Sequence, residues 1–404
     1  MQVTIRYGTT ALSLTVPDSC RLDEYRCRPA TATVTETSFL EQVARAEREL
    51  FPLCTADLLI VNDAYRPTPT DRILSWLDSG GRLNPSANIL IATGCHQAPT
   101  NEQLHVILGD MYDRLHDRVV IHDARRVDDM VAVGKDTDGG RVLVNRHFHD
   151  ARRPALIGSV EPHYFAGFTG GRKSIFPGIC DYETTARNHR RAVSFDAAPM
   201  RLDGNPVAEG LEQLMELVAG RPLFGIQIVG AVDTGLQAVI CGELREAFER
   251  ACDISRGMFE NRITQLYDLV LAEVLPPLDS NLYQLQKSLE NCQTAIRDGG
   301  AVILFSPCRE GIGSEHFYNL AERYRAGGDG INDAFGIHKL VRVEKIGRRL
   351  DVFLHSTLDE GVAEHVFFSS IRNPQRVVNR VVETKPQVSF ALVHDAGHTV
   401  LTMQ

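Results

Sequence analysis

No apolar run in the 404-residue sequence approaches the roughly 18 to 20 residues that a membrane-spanning helix needs. The opening MQVTIRYGTT also lacks the charged-then-apolar layout of a secretory signal, so a cytoplasmic localisation with no membrane partner is expected. Positive charge is not in excess: 43 Lys and Arg face 52 Asp and Glu, for a net charge of -9. That balance argues against a protein that tracks nucleic-acid phosphates and favours a small-molecule partner. The nine cysteines (Cys20, Cys27, Cys54, Cys95, Cys180, Cys241, Cys252, Cys292 and Cys308) are odd in number and include no C-x-x-C pair. Neither a zinc ribbon nor a disulfide framework is indicated, and reduced, mostly buried thiols are expected. Internal repeats and low-complexity tracts are also missing.

What is present is an ordinary globular composition, 43% hydrophobic and 24% charged, in a chain longer than one core usually supports. Two or three domains are therefore expected. VTIRYG and ALSLTVP alternate about Gly8 as a hairpin would. Short apolar runs then alternate with helical spacing: ADLLIVND (56–63), a helix over 70–79, ANILIATG (87–94), a helix near 100–108, and RVVIHD (118–123). The strand series continues through VLVNRH (142–147), PALIGSV (154–160) and LFGIQIVGAV (223–232), and resumes at YDLVLAEV (267–274), AVILFS (301–306), DVFLHS (351–356) and VSFALVHD (388–395). Amphipathic stretches are expected over 207–220 and 243–264. This pattern predicts an α/β protein with mostly parallel, doubly wound sheets in two α/β domains, 1–265 and 266–404. In such sheets ligands gather at the carboxyl ends of strands, which directs attention to the loops NDAYRPTPT and TGCHQAPT.

The segment EPHYFAGFTGGRKSIFPGI (161–179) packs a His, an Arg, a Lys and four Gly into 19 residues. Successive backbone N–H groups in such a run can cradle an anion, although a structural Gly-rich turn accounts for the same glycines. It is not a P-loop, because the position before Lys173 is Arg172 where that motif needs Gly. Three histidines fall in loop contexts, His96, His163 and His189, and imidazole can serve as acid, base or metal ligand. His147 with His149, and His394 with His398, compete as metal pairs and read more simply as surface or strand-end features. At the end of a strand, Asp63 and Arg66 form either a carboxylate or phosphate clamp or a loop-stabilising ion pair, with Thr70 or Asp71 capping the next helix. Finally, SNLYQLQKSLENCQTAIRDGG reads as a helix capped by Ser280 and ended by Gly299 and Gly300. Helical spacing lets Tyr283, Gln284 and Lys287 address one site, although a solvated face is the simpler reading of the helix by itself.

These segments in this order, N-D-x-x-R-P-x-P, T-G-x-H, E-P-H leading into G-G-x-K-S, N-H, and Y-Q-x-x-K, resemble the nickel-dependent lactate racemase family over most of the chain. The resemblance implies a nickel-pincer nucleotide, nickel pyridinium-3,5-bisthiocarboxylic acid mononucleotide, joined covalently to Lys173. His189 would be the protein ligand to nickel, with Asp63, Arg66 and Tyr283 among the residues that hold the cofactor. It further implies racemisation or epimerisation of a 2-hydroxy acid, such as lactate or malate, by hydride transfer through a 2-oxo acid. His96 and His163 would be the catalytic bases on opposite faces of the substrate, and Arg66, Gln284 and Lys287 would hold its carboxylate. The active site would lie in an interdomain cleft, and cofactor-synthesis proteins would be partners. Arg172 stands where the family pattern fixes no residue, and serves a phosphate, a second substrate carboxylate or only solvent. Two other readings remain: a zinc hydrolase using His96, His163 and His189, and a non-catalytic binding protein for an anionic metabolite.

Overall fold

In a computed structural model that describes residues 1–28, 33–66, 68–230, 236–327, 334–384 and 387–404, the chain forms two compact α/β units. One comprises Pro29–Arg191 and Met200–Met258; the other comprises Met1–Arg28, Ala192–Pro199 and Phe259–Gln404. The chain therefore does not divide into contiguous halves at 265. The physical reason is a strand pairing remote in sequence: Arg21–Tyr25 adds to the sheet of the second unit by pairing in parallel with Ser389–Val393. Its preceding hairpin, Gln2–Tyr7 with Thr10–Thr15, buries Val3, Ile5 and Leu14 against Leu269, Leu271 and Ile303 of that unit.

The first unit, referred to below as the histidine unit, carries a six-stranded sheet. Its spatial order is Ala238–Glu243, Phe224–Val229, Pro154–Ser159, Leu58–Asn62, Asn88–Ala92 and Val119–Ile121. All neighbours are parallel except the first pair. Its central strands are near-continuous apolar runs because helices cover both faces. Leu59, Val61, Ile89, Ile91, Ala155 and Ile157 pack with Phe39, Val43, Ile73, Leu74 and Leu77. VLVNRH is a strand but not part of this sheet: Arg141–Asn145 pairs antiparallel with Met130–Lys135 as a separate hairpin. The helix expected over 70–79 spans Thr70–Ser79, but its N-cap is Pro69, with no side-chain cap from Thr70 or Asp71.

The second unit has a six-stranded, wholly parallel sheet, ordered Ser369–Ser370, Asp351–His355, Ile296–Phe305, Tyr267–Glu273, Ser389–Val393 and Arg21–Tyr25. The amphipathic stretch expected over 243–264 splits between the units: the Leu244–Phe259 helix is followed by the Glu260–Ile263 strand. The Tyr-Gln-Lys helix spans Leu282–Cys292, capped by Asn281, whose side chain accepts from Gln284 N–H, rather than by Ser280. It stops well before Gly299, because Ile296–Phe305 is recruited into the parallel sheet. Among the described residues no helix is long and apolar enough to cross a membrane.

Candidate active site

Three adjacent parallel strands of the histidine unit, Pro154–Ser159, Leu58–Asn62 and Asn88–Ala92, deliver at their carboxyl ends His163, Asp63 with Arg66, and His96. His96 follows a tight turn in which Gly94 has φ 56 and donates its N–H to Gly178 carbonyl at 2.9 Å. The His96 Nδ1 lies 2.6 Å from Oδ2 of Asp63, a carboxylate only 4% exposed whose other oxygen accepts the Tyr65 N–H at 3.2 Å. A buried carboxylate at that distance takes the Nδ1 proton as a hydrogen bond, which leaves the lone pair on Nε2. The Tyr65 ring packs at 4.8 Å against the imidazole. Asp63 thus partners His96 rather than forming an ion pair with Arg66. Among the described residues the half-buried Arg66 guanidinium makes no hydrogen bond or ion pair.

His163 presents the opposite arrangement. It sits in a two-residue ladder with Gly167, and its Nδ1 accepts the backbone N–H of Ala166 at 3.2 Å. A nitrogen that accepts from an amide carries no proton, so the neutral ring holds its proton on Nε2. The His163 ring lies edge-on to Phe165 at 4.5 Å, and the same Phe165 ring meets His189 at 5.0 Å and the Lys173 ammonium at 5.4 Å. His163, Lys173 and His189 therefore converge on one phenylalanine. Phe165 is the residue that sequence reasoning missed; its position between His163 and the Gly-rich run was its only signal.

His189 comes from the Tyr182–Arg190 helix, started by Asp181, whose side chain accepts from Thr184 N–H and also from Leu143 N–H. Its Nδ1 donates to the carbonyl of Thr185 at 2.7 Å, one turn back. Desolvation, reinforced by the charge of Lys173, pushes its pKa down to about 4, so the ring is neutral near pH 7. A neutral imidazole fixed through Nδ1 is the form that ligates a metal.

Most N–H groups of the Gly-rich run are engaged within the protein. Gly171 N–H goes to the Gln227 amide oxygen at 2.7 Å, and the N–H groups of Thr169, Lys173, Phe176 and Gly178 go to backbone carbonyls. The glycines serve close packing: a Cβ on Gly170 (φ +71) would lie 2.6 Å from Val160, and one on Gly171 (φ +50) would strike the Phe248 ring at 2.4 Å. This packing holds the short Gly171–Ser174 turn, and hence the half-buried Lys173, against the Pro154–Ser159 strand. Arg172 points elsewhere. It is 3% exposed, pairs with Glu212 at 3.1 Å and lies over the Phe248 ring at 4.7 Å.

In the other unit, Tyr283, Gln284 and Lys287 share the first turns of the Leu282–Cys292 helix, all half-buried. The Gln284 amide oxygen is buried without a hydrogen-bond partner, a cost of about 1 to 3 kcal/mol that a ligand donor would recover. His394 is engaged by Glu24 and Glu273, and His398 by Asp395. Among the described residues no group of three or more His, Cys, Asp or Glu side chains converges to hold a metal ion, so the three-histidine zinc site does not form.

Comparison with known proteins identifies relatives of the whole chain. Residues 7–200 match the lactate racemase N-terminal domain and residues 268–335 the lactate racemase C-terminal domain. The chain is 26% identical over 339 residues to the lactate racemase of Thermoanaerobacterium thermosaccharolyticum, covering 78% of this chain and 76% of that one. It is 29% identical over 289 residues to the lactate racemase of Lactiplantibacillus plantarum, covering 70% of this chain and 66%, just under two thirds, of that one. Its fold matches the lactate racemase apoprotein of T. thermosaccharolyticum over 100% of both chains, with a TM-score of 0.84 and 23% identity. A protein from Thermotoga maritima matches 93% of this chain and all of its own, with a TM-score of 0.70 and 17% identity. Fold and matched domains define an isomerase built from two α/β units. More narrowly, the chain belongs to the lactate racemase family.

Proposed function

We propose that the protein interconverts the stereoisomers of a 2-hydroxy acid, lactate or a relative such as malate, with a nickel-pincer nucleotide joined to Lys173 and ligated by His189. The observation that carries this reading is the convergence of His163, Lys173 and His189 on the Phe165 ring. The donor set supports it as well: one neutral histidine beside a lysine is too few for an all-protein metal site and suits a group that brings its own ligands. The chemistry such a group supplies when bound is reversible acceptance of hydride from the substrate's C2.

The protein's share is proton handling and positioning. His96, with Nδ1 tied to Asp63, offers the Nε2 lone pair to the substrate hydroxyl as C2 gives up hydride. The resulting 2-oxo acid is flat. When hydride returns to its other face, the oxo oxygen takes a proton from Nε2 of doubly protonated His163, a form the ring reaches when Nδ1 exchanges the Ala166 N–H for a proton from solvent. His96 releases the proton it gained to solvent before the next turnover, and for the opposite enantiomer the two histidines exchange roles, so protons and hydride balance in both directions. Arg66, whose guanidinium makes no other pair among the described residues, is assigned to the substrate carboxylate, and the resemblance adds Gln284 and Lys287 to that task and Tyr283 to the cofactor. Cofactor-synthesis proteins are the partners this reading requires, and the cytoplasm is where it places the reaction. The test is chiral chromatography of L-lactate, D-lactate and L-malate incubated with cofactor-loaded protein. Racemisation of any one supports the reading, and unchanged enantiomers in all three count against it.

A further inference from the structure

The reading above leaves one buried ammonium without a task. Lys339, on the Ile337–Gly347 helix, is only 4% exposed, whereas lysines are rarely buried to this degree unless something holds the charge. Its Nζ donates to the Tyr283 carbonyl at 3.2 Å and lies 3.9 Å from the centroid of the Tyr283 ring. Both contacts fall on one residue, in the turn that carries Gln284. By helix geometry the carbonyl of residue 283 is also the acceptor for the N–H of Lys287. The ammonium therefore grips the turn from which all three residues of the Tyr-Gln-Lys motif project.

Cohesion of the two helices does not depend on that grip. Arg342 and Glu290 form a bidentate, fully buried pair at 2.6 and 2.7 Å, the Gln286 amide donates to the Lys339 carbonyl at 2.9 Å, and Leu285, Leu289, Leu340 and Val343 share one apolar core. A methionine at 339 would fill similar space without desolvating a charge. The charge also has an unfavourable neighbour: burial first, and then Lys287, hold the Lys339 pKa well below the ordinary lysine range, with Glu290 opposing. Placing a second cation beside Lys287 is a cost that helix packing alone does not require.

We propose that Lys339 is a positioning residue for the reaction: it fixes the Tyr283 ring and the first turn of the Leu282–Cys292 helix so that Gln284 and Lys287 are held in the geometry that binds the substrate carboxylate. This rests on the assignment of the Tyr-Gln-Lys motif to substrate and cofactor. With loaded enzyme and the lactate enantiomers as probes, Lys339→Met raises KM about ten-fold while kcat stays within about three-fold, the scale of losing a partly desolvated cation–π contact. Lys339→Met combined with Tyr283→Leu gives a KM no higher than the worse of the single variants, because Lys339 acts through Tyr283. An unchanged KM in Lys339→Met, or effects that multiply in the double variant, overturn the proposal. A readout without substrate separates its failure from that of the functional reading. In 3-fluorotyrosine-labelled protein, the 19F resonance of Tyr283, assigned with Tyr283→Phe, moves in Lys339→Met while the melting temperature holds. If that resonance does not move, the proposal is wrong whether or not the wild type racemises lactate. If Lys339→Met does not fold, Lys339→Gln, which keeps a donor but removes the cation from beneath the ring, must still move the resonance for the proposal to stand.

Discussion

Replacing Asp63 by Asn keeps the shape of the side chain and removes the charge that holds His96. The bond lost is a 2.6 Å contact to a carboxylate 4% exposed, and charge-assisted hydrogen bonds of this kind contribute about 1.5 to 3 kcal/mol. The His96 side chain is itself 50% exposed, which lets water compensate part of the loss and puts the effect near the lower end. At about 1.4 kcal/mol per decade, kcat/KM for lactate racemisation is expected to fall about ten- to thirty-fold. An Asn amide that turned its NH2 toward Nδ1 would impose the opposite tautomer and deepen the loss. The assay is the initial rate of enantiomer exchange by the cofactor-loaded variant, with the intact mass of the same sample read in parallel. The reasoning is refuted if the rate changes less than two-fold. It is refuted equally if the rate falls only as the covalent adduct disappears, since Asp63 would then serve the cofactor and not His96.

Three further outcomes follow from buried groups. His122, 2% exposed, has its pKa pushed down from 6.5 to about 4 by desolvation. Below pH 6.5 the unfolded chain takes up a proton that the folded ring refuses, so stability falls as pH drops from 6.5 toward 4, by about 2 kcal/mol at pH 5; in urea titrations at pH 7 and 5 the loss should be about 2 kcal/mol smaller in His122→Asn than in the wild type, and part of the remainder belongs to His189, whose pKa is likewise pushed down to about 4. Glu290→Gln strands the Arg342 guanidinium, 1% exposed, and should lower stability by about 3 to 5 kcal/mol in chemical denaturation, whereas an effect under about 1 kcal/mol would mean the pair is not buried as described. Gly171→Ala drives a Cβ into the Phe248 ring at a φ of +50, so a loss of about 1 to 3 kcal/mol is expected, together with weaker cofactor attachment at Lys173 by intact mass; full stability would contradict the packing role of the run.

The elements most legible in the sequence are those whose signal is local. Leu58–Asn62, Asn88–Ala92, Pro154–Ser159 and Tyr267–Glu273 are buried apolar runs bounded by turns, the pattern of strands covered on both faces. The Arg21–Tyr25 strand carried no comparable mark. Its burial is partial and its partner lies at Ser389–Val393, so no local pattern announces that the first 28 residues join the second unit. Arg141–Asn145 looked like one more parallel strand because apolar content does not specify which partner a strand takes. At the site, the ordered histidines, the lysine and the Asp63–Arg66 loop were readable as residue types in motifs. The hydrogen bonds that orient them were not: Asp63 to His96 depends on how two loops meet, and Ala166 to His163 and Thr185 to His189, though local, depend on ring orientations that residue types do not specify. Arg172 shows the reverse hazard: a cation beside the key lysine in sequence is buried and turned away to pair with the exposed Glu212.

The central claim is that Lys173 carries the cofactor, and the most direct measurement is the intact mass of protein co-expressed with a cofactor-synthesis pathway, with peptide mapping and nickel content from the same sample. The account predicts a mononucleotide-sized adduct that maps to Lys173, stoichiometric nickel, and loss of the adduct in Lys173→Ala. An unmodified mass, with the same pathway loading a control protein, or an adduct that survives Lys173→Ala, would contradict it.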